Sequence, residues 1–341
     1  MHKERIKASL KKYSTLLVQL SNRVACLLLV TARRSGQYVK MLACRVVQFL
    51  RTHWPAWKDR IQQYARLTRL DKPIGSLLLL WPMLWALWIA AAGTPDPAIL
   101  IIFILGVICM RSAGCVINDI ADRRLDPHVE RTRNRPIPSG RVTTREALLV
   151  FLVLIGAAFL LVVQLDLMTI KLAFIGAALA IIYPFTKRYT YVPQLFLGAA
   201  FGWAIPMAFS AQAGELPLVA WLLYLTTVLW AVVYDTMYAM VDREDDIKMG
   251  MKSTAILFED ADRMIIGIVQ LLVLFGLMLV GSRQNFGDIY YAGLLLASLF
   301  FIYQQYLIKD RIRQRCFAAF LNNNWFGACV FVGIVLNYYF S

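Results

Sequence analysis

Nine apolar runs, each parted from the next by a short polar break, rule out most of what a chain of 341 residues could fold into. They extend approximately over residues 74–93, 98–117, 147–164, 168–185, 194–213, 218–234, 265–282, 289–308 and 325–340. A helix needs roughly 17 to 25 predominantly apolar residues to cross the hydrocarbon of a bilayer, and these runs supply that length repeatedly. With 59% hydrophobic and 17% charged residues, the chain is expected to be an all-α integral membrane protein. Pro82, Gly106, Gly198, Gly202 and Pro206 fall inside the runs, where neighbouring helices satisfy a loosened backbone.

Lys and Arg in short loops are retained on the cytoplasmic side during insertion. The loops after the second, fourth, sixth and eighth runs carry Arg123, Arg124, Arg131, Arg133, Arg135, Arg141, Arg145, Lys187, Arg188, Arg243, Lys248, Lys252, Arg263, Lys309, Arg311, Arg313 and Arg315. The opposite loops offer Arg283, with Lys171 just inside the fourth run. The N-terminus is therefore expected in the cytoplasm and the C-terminus on the opposite side, as an odd number of crossings requires.

Residues 1–63 are a different kind of chain from residues 64–341. Lys3, Arg5, Lys7, Lys11, Lys12, Arg23, Arg33, Arg34, Lys40, Arg45, Arg51, Lys58 and Arg60 stand against Glu4 and Asp59, which accounts for most of the net charge of +15. The run from Val24 to Val30 is too short to span, and no small-residue cleavage site follows it. The extension reads as a basic amphipathic segment lying on anionic lipid, or else as a disordered, solvated tail or the product of a start codon placed too far upstream. Nucleic-acid binding ranks below both.

Cys26, Cys44, Cys109, Cys115, Cys316 and Cys329 show no CxxC spacing, and His2, His53 and His128 form no ligand pair, so neither a zinc site nor a disulfide framework is supported. No glycine-rich nucleotide loop is present, which argues against an ATP-driven pump.

Two acidic clusters carry the chemical signal. Asn118, Asp122 and Asp126 follow the second run at spacings of four, so a continuing helix projects them along one face, with Asp119 close by. Arg111 lies two turns earlier on the same stripe, inside the apolar run, where a guanidinium needs an anion or a wet cavity. Asp235, Tyr238, Asp242 and Asp246 repeat the design after the sixth run, while Glu244 and Asp245 point elsewhere, toward solvent. An acidic pair on a helix is often only a solvated face, but two matching clusters on one membrane side are a different matter. Carboxylates so close repel one another, and Mg²⁺ relieves that repulsion while taking its remaining ligands from water and phosphate oxygens. Diphosphate fits such a gap, with Arg131, Arg135 and Lys187 on the correct side to cradle its other oxygens, where positive-inside topology alone would also put them.

Together these residues resemble the UbiA-type intramembrane aromatic prenyltransferases. The family's NxxxDxxxD motif is matched by Asn118-Asp122-Asp126 and its DxxxD motif by Asp242-Asp246. The likeness continues through Arg69-Leu70-Asp71-Lys72-Pro73-Ile74-Gly75, Arg131-Thr132-Arg133-Asn134-Arg135-Pro136, Tyr183-Pro184-Phe185-Thr186-Lys187-Arg188 and Tyr234 through Asp242. It covers essentially everything from Arg69 to the C-terminus. Residues before about Tyr64 depart from the family, so nothing is carried over to them.

The resemblance implies nine transmembrane helices in two pseudo-symmetric four-helix groups around a central cavity open to the cytoplasm, in a bacterial inner membrane. It implies Mg²⁺-dependent transfer of a polyprenyl group from polyprenyl diphosphate to the ring carbon ortho to the hydroxyl of 4-hydroxybenzoate, a step of ubiquinone biosynthesis. Asp122, Asp126, Asp242 and Asp246 would hold metal, with Asn118, Asp119 and Asp235 as further ligands. Arg131, Arg135 and Lys187 would hold the diphosphate, Arg111 the aromatic carboxylate, and Tyr183 and Tyr238 would face the allylic cation. Another aromatic acceptor (naphthoate, homogentisate or haem) is the nearer alternative. A secondary transporter is the more distant one, because transporters put their polar groups near the midplane rather than at the cytoplasmic ends.

Overall fold

The computed structural model describes residues 22–24, 37–123 and 132–340. The chain divides into two compact units, Met1–Gln63 and Tyr64–Ser341. The first contains most of helix α1 (Gln37–Leu67), whose described side chains beyond Met41 are almost all exposed.

Among the described residues the second unit is entirely helical. After the end of α1 come α2 (Ile74–Ala90), α3 (Pro97–Ala121), α4 (Thr144–Val162), α5 (Leu167–Thr186), α6 (Pro193–Gly202), α7 (Ala204–Ala213), α8 (Leu218–Lys248), α9 (Thr254–Phe258), α10 (Asp262–Arg283), α11 (Asp288–Leu307) and α12 (Arg313–Phe340). Polar residues just outside the apolar runs start several of them. Asp96 caps α3, Asp166 caps α5, and Thr143 with Glu146 forms a capping box on α4. The protein is a multi-pass membrane protein: seven described stretches are long and apolar enough to cross a bilayer, with α6–α7 and α9–α10 each counting once. Of the nine expected, α2 is short at 17 residues, and α11 is not among the seven. Gln304 and Gln305 lower the apolarity of α11, and they are hydrogen-bonded to Gln270 of α10 rather than exposed to lipid unpaired.

Small residues let the helices approach. A Cβ on Gly198 of α6 would stand 2.8 Å from the Val228 carbonyl oxygen of α8, so these backbones are nearly in contact. The core runs through α2, α8, α10, α11 and α12, with Trp85 stacked on Trp230 and Phe301 stacked on Phe326.

Three boundaries differ from the sequence reading. Helix α3 stops at Ala121 with Asp122 as its C-cap, so the helix does not continue through the first acidic motif. Helix α8 runs unbroken through the second motif to Lys248. Helix α12 begins at Arg313, a dozen residues before the expected start at Trp325. The Asn322-Asn323-Asn324 run reads as a polar break, yet its amides are satisfied within the bundle. Asn323 Oδ1 accepts from Trp230 Nε1 at 2.9 Å, Asn324 Oδ1 from Trp81 Nε1 at 2.9 Å, and Asn322 Oδ1 from Gln304 Nε2 at 3.1 Å.

Candidate active site

The ends of α2, α3, α5, α8 and α12 enclose a cavity of about 960 Å³. Asn118, Asp119 and Asp122 reach it from the end of α3, and Asp235, Tyr238, Asp242 and Asp246 from α8, so the two acidic clusters share one space. Arg111, Tyr183, Lys187 and Arg135 line it as well. Asp126 and Arg131 lie outside the described residues.

Lys187 links the two clusters. Its Nζ donates to Asp122 Oδ2, and it also lies within electrostatic reach of Asp235 on the other face. Asp235 has Arg111, Asp242 and Asp246 within that reach too. Asp122 is buried, and among the described residues its Oδ1 has no hydrogen-bond donor, with Arg188 Nη2 at 3.8 Å.

Asp119, expected as a further metal ligand, is paired with two arginines. It is 1% exposed, and Arg69 Nη2 donates to both of its oxygens at 2.8 and 2.9 Å while Arg135 Nη1 donates at 3.0 Å. Two guanidinium groups already neutralise this carboxylate, so it anchors the arginine wall of the cavity. Arg69 lies in the turn after α1 with φ of 59°, a left-handed conformation unfavourable for a residue with a Cβ. Arg135, expected on the diphosphate, is thereby held at the cavity edge by its pairing with Asp119.

Arg111 is a part-buried cation of the site. Its Nε has no hydrogen-bond partner among the described residues, and its guanidinium sits 5.5 Å from the centre of the Phe201 ring. Gly75 at the start of α2 leaves the room it occupies, because a Cβ there would stand 2.4 Å from Arg111 Nη2. A second, apolar cavity of about 260 Å³ opens on the far side and shares Arg111, Gly114, Tyr183 and Phe201 with the first. Sequence reasoning assigned no role to Gly75 or Arg69, although both lie in the Arg69–Gly75 string that carries part of the resemblance.

The second acidic cluster is braced from outside. Arg313 Nη2 bonds Glu244 at 2.7 Å and its Nη1 bonds Asp245 at 3.4 Å, so these carboxylates tie α8 to α12 instead of meeting only solvent. Arg243 Nη1 lies 3.8 Å from the fully buried Asp262, which Arg311 also grips through Nε and Nη2. That grip, foremost among its causes, holds the Arg311 guanidinium pKa above its ordinary value.

Among the described residues no three His, Cys, Asp or Glu side chains stand close enough to enclose a metal ion alone. Facing carboxylates on two helix ends, one with an orphaned buried oxygen, suit a hard cation that completes its shell from phosphate and water, as Mg²⁺ does.

The profile of the UbiA prenyltransferase family matches residues 79–329. A 4-hydroxybenzoate octaprenyltransferase of Methylococcus capsulatus is 59% identical over 82% of this chain and 96% of its own length. One of Alkalilimnicola ehrlichii is 58% identical over the same shares. Among solved structures, a UbiA homolog from Aeropyrum pernix K1 superposes with a TM-score of 0.68 at 23% identity, over 76% of this chain and 97% of its own. A UbiA homolog from Archaeoglobus fulgidus, bound to GPP and Mg²⁺, gives 0.63 at 17% identity over 80% and 99%. A matched profile spanning most of the chain, and relatives this similar along nearly their whole length, make the protein a member of the UbiA prenyltransferase family.

Proposed function

We propose that the protein transfers a polyprenyl group from polyprenyl diphosphate to the ring carbon ortho to the hydroxyl of 4-hydroxybenzoate, as a step of ubiquinone biosynthesis. The names of its highly identical relatives support this reading. The observation that carries it is the cavity into which both acidic clusters, the part-buried Arg111 and an adjoining apolar chamber all open.

Asp122, Asp242 and Asp246, with Asn118 and Asp235 beside them and Asp126 outside the described residues, would hold Mg²⁺. When bound, that cation draws charge from the diphosphate as the allylic carbon–oxygen bond breaks. The chain does the rest. Lys187 and Arg135, with Arg131, grip the diphosphate oxygens and steady their departure. With Asp122 holding Mg²⁺, Lys187 would be free to turn its ammonium from that carboxylate to a phosphate oxygen. Arg111 pairs with the carboxylate of 4-hydroxybenzoate, which fixes the ring between the two cavities. Tyr183 and Tyr238 present ring faces and hydroxyl dipoles to the allylic cation, each contact contributing about 0.5–2 kcal/mol. The apolar chamber shared at Arg111 and Tyr183 receives the first isoprene units and keeps water from the cation.

In the membrane, nine helices in two pseudo-symmetric four-helix groups cross the bacterial inner membrane. The cavity faces the cytoplasm with the N-terminus, and the C-terminus lies on the opposite side. The basic loops on the cavity side support that orientation. The arrangement suits a substrate whose tail belongs in lipid and whose diphosphate belongs in water.

The test is to incubate the detergent-purified protein with Mg²⁺, a panel of aromatic acids and several prenyl diphosphates, and to identify products by mass spectrometry. Prenylated 4-hydroxybenzoate formed without any ion gradient is expected. Preference for naphthoate or homogentisate would reassign the acceptor.

A further inference from the structure

Helix α1 carries an exposed apolar stripe. At 100° per residue, Val46, Leu50, Trp54, Trp57 and Ile61 fall within about 80° of the helix circumference. All five are exposed, from 38% at Trp54 to 58% at Ile61. Phe49 and His53 extend the stripe on one side, where their rings stack with centroids 4.2 Å apart, and the His53 ring lies 6.1 Å from that of Trp57. An exposed patch of this size on a soluble surface is an unfavourable arrangement, so something apolar covers it.

The charges say what. Arg51 and Lys58 fall just beyond one edge of the stripe, Arg60 and Arg45 lie on the other side, Arg60 between Phe49 and His53, while Gln48, Thr52, Asp59 and Gln62 occupy the opposite face. Cations along the margins of an apolar face can keep their stems on hydrocarbon and their charges among anionic headgroups. Tryptophan prefers that same boundary, where its ring is apolar and its N–H can stay wet. The charges forbid α1 from crossing the membrane, although its 31 residues would be long enough. We propose that the segment Arg45–Ile61 lies in the plane of the bilayer surface as an interfacial anchor selective for anionic lipid, its stripe at the acyl boundary and its basic margins on the headgroups. The occupant is a phosphatidylglycerol-type bilayer surface, not a second protein. The proposal is independent of the catalytic reading.

The test uses the full chain in nanodiscs holding one copy each, with single substitutions Leu50→Cys, Ile61→Cys, Gln48→Cys and Gln62→Cys in a Cys44→Ser background. Each is read by the rate of modification with a membrane-impermeant maleimide, relative to the unsubstituted background. In bilayers containing phosphatidylglycerol, positions 50 and 61 should react at least tenfold more slowly than 48 and 62. The gap should close in pure phosphatidylcholine at high salt, and with Arg51→Glu and Lys58→Glu together. Equal rates on both faces in anionic bilayers would overturn the proposal. So would slow reaction at 50 and 61 that persists in phosphatidylcholine at high salt, because the stripe would then be covered by protein or held by neutral lipid alone.

Discussion

Gly75 and Arg111 are matched across α2 and α3: the hydrogen of the one leaves the space that the guanidinium of the other fills, with only 2.4 Å between Arg111 Nη2 and the position of a Cβ on Gly75. Arg111 therefore keeps its place in the cavity wall because residue 75 has no side chain.

Gly75→Ala should push the Arg111 guanidinium aside while leaving the acidic clusters untouched. The expected outcome is a KM for 4-hydroxybenzoate raised by roughly 10- to 100-fold, with the KM for prenyl diphosphate little changed. Arg111→Ala should do the same without the steric insult. Steady-state kinetics with each substrate varied in turn checks both, and a shift confined to prenyl diphosphate would move Arg111 to the diphosphate site.

Asp119→Asn removes the shared partner of Arg69 and Arg135 and leaves two part-buried guanidinium groups facing a neutral amide. Loss of about 3–5 kcal/mol is expected, the penalty for breaking a buried ion pair from one side. Thermal unfolding in detergent should show a lowered midpoint that added Mg²⁺ does not restore. Restoration by Mg²⁺ would return Asp119 to the set of metal ligands.

Gly106 lines the apolar chamber, and a Cβ there would meet nothing within 4 Å. Gly106→Leu should therefore fold normally and narrow the chamber. Competition between short and long prenyl diphosphates, with products separated by mass, should show a shift toward the shorter donor. An unchanged product distribution would place the tail elsewhere.

Asn323→Leu strands the Trp230 indole N–H in a buried position. About 1–3 kcal/mol of stability should be lost, with kcat preserved in the protein that remains folded. Parallel melting curves and activity measurements separate this from a catalytic effect.

The chemistry of the site was more legible than its supports. Asn118, Asp122, Asp242 and Asp246 stand at helical spacings that survive into the fold, because α3 and α8 carry them at or near their ends. Asp119 shows where periodicity runs out. One residue from Asn118, it turns to Arg69 fifty positions earlier, a pairing that no local pattern encodes. The Asn322–Asn324 run misleads for a related reason. Hydropathy penalises each amide as though it met lipid, whereas Trp81, Trp230 and Gln304 on three other helices satisfy them. Gly75 carries no chemical signal by itself, and its meaning appears only when Arg111 is laid against it.

The central claim is that the two acidic faces act jointly on one Mg²⁺-bound diphosphate. The most direct measurement is the Mg²⁺-dependence of prenyl transfer by purified wild-type, Asp122→Asn and Asp246→Asn proteins of equal thermal stability. Wild-type activity should require the cation, and either single substitution, each on a different helix, should abolish transfer at all Mg²⁺ concentrations that saturate the wild type. Wild-type turnover by either variant, or full activity after chelation of divalent cations, would contradict it.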